Sequence, residues 1–76
     1  MRAESKKLID DLEVKIWSCD KDRAEKLADL VQDVLKIEKQ ADELIALKPE
    51  FKDSYVRQFE CALGEIRKQA VRYVKL

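Results

Sequence analysis

The chain has 76 residues with one proline, one glycine, two cysteines and no histidine, and sixteen basic residues balance sixteen acidic ones. That length allows one domain, and so few turn formers exclude an architecture of short strands. Lack of histidine removes the commonest metal ligand and general base, and zero net charge argues against a wholesale nucleic-acid binder.

The first helix is predicted from about Glu4 to Ser18. Leu8, Ile9, Leu12, Ile16 and Cys19 recur at spacings of three and four on one face. Val14 and Trp17 fall off that face. Exposed tryptophan is a favoured interface anchor, which makes Trp17 a candidate contact residue.

Neither Gly nor Pro separates the first helix from the second. The break is predicted from Asp20-Lys21-Asp22 and from a capping-box pattern, Asp22-Arg23-Ala24-Glu25. The hydrophobic phase also slips here, because Arg23 stands where a continuous stripe needs an apolar residue. The alternative is one long helix through this point, whose two-helix hairpin would need to dimerise into a four-helix bundle.

The second helix is predicted from about Arg23 to Leu47. Its stripe runs Leu27, Leu30, Val31, Val34, Leu35, Ile37, Ala41, Leu44 and Ile45. Glu38 falls near the middle of that stripe. A carboxylate there must find a partner or reach water, because burying it alone is expensive.

Lys48-Pro49 ends this helix, since proline lacks an amide and clashes with the preceding turn. The third helix is predicted from Pro49 or Glu50 to Val74. Its stripe includes Phe51, Tyr55, Val56, Phe59, Ala62, Leu63, Ile66, Ala70, Tyr73 and Val74. Gly64 falls on its outer face near Cys61 and Lys68. The short connection predicts antiparallel neighbours. The expected fold is therefore an all-α, antiparallel three-helix bundle with a short first helix and two long helices joined at Pro49. Such a small core is marginal alone, so assembly into a dimeric bundle is part of the expectation.

The predicted lengths differ. Helices of about 25 residues span roughly 38 Å, whereas the first, of about 14, spans roughly 21 Å. The first helix is thus too short to cover the whole hairpin. The Pro49 end, with Ile37, Leu44, Leu47, Phe51, Tyr55 and Phe59, is the expected protein-binding surface, for a second copy or another protein.

The last ten residues carry Arg67, Lys68, Arg72 and Lys75 and no acid. Cations at a helix C-terminus offset its dipole. The same cluster offers a basic contact for an acidic protein or, in a competing reading, for a nucleic-acid backbone. The hexamer Arg67-Lys68-Gln69-Ala70-Val71-Arg72 resembles a stretch in the last helix of BAG domains, three-helix cochaperone modules that bind heat-shock chaperones. It covers six residues of 76. The acidic, leucine-rich helix that precedes it in those domains is replaced here by the helical segment from Ser54 to Ile66, so no site is carried over.

No phosphate loop, HExxH motif, EF-hand loop or nucleophile elbow is present. The expected role is a non-enzymatic interaction module, regulatory, adaptor or inhibitor-like, with no cofactor and no metal. No apolar run approaches membrane-spanning length, and nothing near Met1 resembles a signal peptide. Two cysteines without a CxxC spacing suit a reducing compartment, so the expected location is the cytoplasm.

Overall fold

A computed structural model describes all residues from Met1 to Leu76. It contains helix α1 (Ala3–Ile16), helix α2 (Lys21–Leu47), a single 3-10 turn (Pro49–Phe51) and helix α3 (Lys52–Ala70). The chain is an all-α, antiparallel three-helix bundle, elongated to 44 × 17 × 16 Å.

The break between α1 and α2 is real, but its cap lies two residues before the expected one. Asp20 is extended, and its carboxylate accepts from the Arg23 N–H at 3.0 Å. Its carbonyl accepts the Ala24 N–H at 2.9 Å, which starts the helical ladder. Asp22 and Glu25 therefore sit inside the first turns rather than framing them. An Asp in extended backbone is what a helix N-terminus needs to satisfy its free amides, and Asp20 reaches that position first.

Lys48 leaves the helical region ahead of Pro49, at φ −137° and ψ 76°. Pro49 then opens the 3-10 turn, where its missing amide costs nothing. Helix α3 stops at Ala70, four residues short of the expected Val74. The Arg72 and Tyr73 amides donate three residues back, to Gln69 and Ala70, in a tightened final turn. Val71, Tyr73 and Val74 are β-branched or aromatic and hold a helix poorly. Tyr73 and Val74 instead pack against the core.

The core is one cluster drawn from all three helices. Leu8, Ile9 and Leu12 come from α1. Leu27, Leu30, Val34 and Ala41 come from α2, and Phe59, Leu63, Ile66 and Ala70 from α3. These are the positions at helical spacing, and burying each large side chain contributes about 1.5–3 kcal/mol. Leu35, placed on the α2 stripe from the sequence, is exposed. Helix α1 lies chiefly along α2 and touches α3 little.

Arg2, just before α1, fixes how far that helix reaches. Its Nη1 lies 2.7 Å from Glu38 Oε2 and 3.0 Å from Asp42 Oδ1. Its backbone N–H donates to Glu38 Oε1 at 3.1 Å, and its guanidinium sits 4.8 Å above the Phe59 ring. One side chain thus joins all three helices and answers the question that Glu38 raises. Glu38 is buried and its charge is paired. Burial pushes its pKa up, but the Ser5 hydroxyl and the Arg2 amide and guanidinium outweigh that and hold it below the ordinary carboxylate value. Ser5 Oγ is itself buried and makes no hydrogen bond of ordinary geometry, so the Arg2 contacts are the firm part of that balance.

Candidate functional site

Because α1 begins at the level of Glu38 and Asp42, no third helix covers the last turn of α2 or the start of α3. Leu44, Leu47 and Phe51 are 40%, 77% and 50% exposed there. Helical rotation of about 100° per residue separates two faces of α2. Glu38 and Asp42 point toward α1. Ile37, Ala41 and Leu44 turn toward α3 and, with Tyr55, Phe59 and Ala62, line an apolar groove edged by Gln40 and Gln58. Leu44 also borders a neighbouring depression with Gln40, Glu43 and Leu47.

Phe51 and Tyr55 meet edge to face, with centroids 6.3 Å apart. The Lys48 ammonium lies 5.9 Å from the Phe51 centroid. The tip is therefore an apolar surface with a cation at its margin. The glutamines at the groove edge can hydrogen-bond a peptide backbone or side chain without adding net charge.

Of the residues expected at this surface, Ile37, Leu44, Leu47, Phe51 and Tyr55 come together. Phe59 does not belong to the exposed surface. It is only 4% exposed, because Arg2 covers one side of its ring and the core takes the rest. It forms the groove floor. Trp17 is 89% exposed, but it follows α1 at the opposite pole of the long axis. It cannot share a contact with the Pro49 tip.

The basic cluster of the last ten residues is divided. Lys68 pairs with Glu65 at 3.4 Å. Arg67 is half-buried and lies beside Glu4 and Glu60. Arg72 and Lys75 instead gather with Lys15 and Arg23 around a depression of about 460 Å³. Sequence reading missed Lys15 and Arg23 as members of this group. They come from the end of α1 and the first turn of α2, and only folding brings them beside the C-terminal segment.

Cys61 is exposed, and Cys19 is half-buried beside the core. No three His, Cys, Asp or Glu side chains converge as metal ligands would, and no helix is long and apolar enough to cross a membrane. Comparisons with family models, curated proteins and solved structures give no match to this chain.

Proposed function

We propose that the chain is a non-catalytic protein-interaction module that docks through the Pro49 tip and self-associates there. The observation that carries this reading is the exposure of Leu44, Leu47 and Phe51 where α1 stops covering the hairpin. Apolar surface contiguous over several hundred Å² usually marks an interaction site. An amphipathic helix fits the adjoining groove, because side chains at spacings of three and four can enter it while the glutamines hold its polar edge. A second copy offers the uncovered last turn of its own α2, with Leu44 and Leu47 exposed. Pairing two tips about a two-fold axis would complete a four-helix arrangement around Leu47 and Phe51.

Sedimentation equilibrium of the wild type against Leu47→Asp and Phe51→Asp tests the reading. The wild type should associate in the micromolar range. Both variants should be monomeric with unchanged helicity by circular dichroism, because neither residue belongs to the core. A wild type that stays strictly monomeric at high micromolar concentration would remove the self-association.

A further inference from the structure

At the pole opposite Pro49, the fold collects four cations from three separate segments. Lys15 lies near the end of α1, Arg23 in the first turn of α2, and Arg72 and Lys75 beyond α3. All four border one open depression with no acidic residue in its lining. None makes an ion pair within the molecule, as is true of every basic side chain except Arg2 and Lys68, so what sets these four apart is their convergence on one depression. Val71, Tyr73 and Val74 supply an apolar side to the same depression.

Helix ends explain only part of this grouping. Lys15 and Arg72 lie at the carbonyl ends of α1 and α3, where cations are favourable. Arg23 is in the first turn of α2, where a cation opposes the helix dipole. Lys75 lies past the last turn of α3, beyond the reach of that effect. Two of the four cations are thus placed against, or without help from, their own helix.

We propose that this depression binds a small ligand bearing two adjacent phosphoryl groups. Four cations are enough to neutralise a diphosphate, and the forked guanidinium groups of Arg23 and Arg72 suit phosphoryl oxygens geometrically. The basic surface does not extend along α3, because Lys68 is paired and Arg67 stands beside acids. The footprint therefore fits one compact anion rather than the repeating backbone of a nucleic acid. Tyr73 and Val74 offer an apolar wall for an organic group attached to the phosphates.

The test is amide NMR titration of the intact chain with inorganic pyrophosphate, adenosine diphosphate, citrate and oligothymidylate. Pyrophosphate should shift the amides of Lys15 to Arg23 and Val71 to Lys75 saturably, and added salt should weaken it. Tighter binding of adenosine diphosphate than of pyrophosphate would assign the apolar wall to an attached ring. Equal binding of the two would leave a diphosphate site alone. Either result supports the proposal. Arg23→Gln with Arg72→Gln should weaken pyrophosphate about tenfold or more, since each removes a charged hydrogen bond. Lys68→Gln, outside the depression, should change nothing. Citrate binding as tightly as pyrophosphate would overturn the proposal by showing an unselective cationic patch. So would oligothymidylate binding more tightly and also shifting Arg67 and Lys68, as would diffuse, unsaturable shifts.

Discussion

Arg2 grips Glu38 twice across 36 residues of sequence, its side chain donating at 2.7 Å and its backbone N–H at 3.1 Å. Glu38 is 6% exposed, so this contact, rather than solvent, carries its charge. The same guanidinium covers Phe59 and reaches Asp42. Asp42 lies largely in water, and its pair should matter less because solvent screens it.

Arg2→Ala leaves a buried carboxylate without its cation and should cost about 3 kcal/mol in urea denaturation. Glu38→Gln keeps the shape and part of the hydrogen bonding, and should cost about 1–2 kcal/mol. Arg2→Ala combined with Glu38→Leu should be more stable than Arg2→Ala alone, because no unpaired charge remains buried. A double variant no more stable than the single one would show that Arg2 acts by packing.

Acid should weaken the bundle through the same pair. The folded pKa of Glu38 lies below its ordinary value of 4.5. A depressed folded value means that the contribution is complete above the ordinary value and is lost as pH falls through the folded one. Urea midpoints measured from neutral pH downward should fall below about pH 4.5, and Glu38→Gln should flatten that dependence.

Gly64 lies on the outer face of α3 with nothing within 4 Å of where a Cβ would be. Gly64→Ala should stabilise the chain by about 0.5–1 kcal/mol, since alanine holds a helix interior better and no contact opposes it. A raised melting temperature without a change in association state is the expected result.

Asp20→Ala should cost about 1 kcal/mol by freeing the Arg23 amide at the start of α2. Asp22→Ala should cost less, because Asp22 is not the cap. Reversal of that order in thermal melts would move the start of α2 to the position expected from the sequence.

Cys61 should react at once with a thiol reagent in the native state, whereas half-buried Cys19 should react slowly until the chain unfolds. Mass mapping of the first labelled cysteine distinguishes them.

The element order could be read from local pattern because helix faces repeat every three and four residues and Pro49 stops a helix by its own covalent geometry. The centre of each expected stripe, Leu8, Leu12, Leu27 and Val34 among it, is buried, while most other stripe positions are only half-buried and Leu35, Leu44 and Phe51 are exposed. Boundaries were harder to read. Asp20 and Asp22 are chemically equivalent caps, and only backbone conformation chooses between them. Phe59 sits in phase with Tyr55 on α3, so periodicity alone could not separate a groove floor from an exposed rim.

By itself, then, the sequence determined three helices, their order and antiparallel sense, and an apolar Pro49 end, all of which follow from contacts within a few residues or across a short turn. Tertiary structure decided how far α1 reaches, and therefore which side chains at that end stay uncovered. It also decided that Arg2 is the partner of Glu38, and that Lys15 and Arg23 join Arg72 and Lys75. Those pairings span tens of residues, and no local periodicity encodes which charges meet when distant segments close on one core.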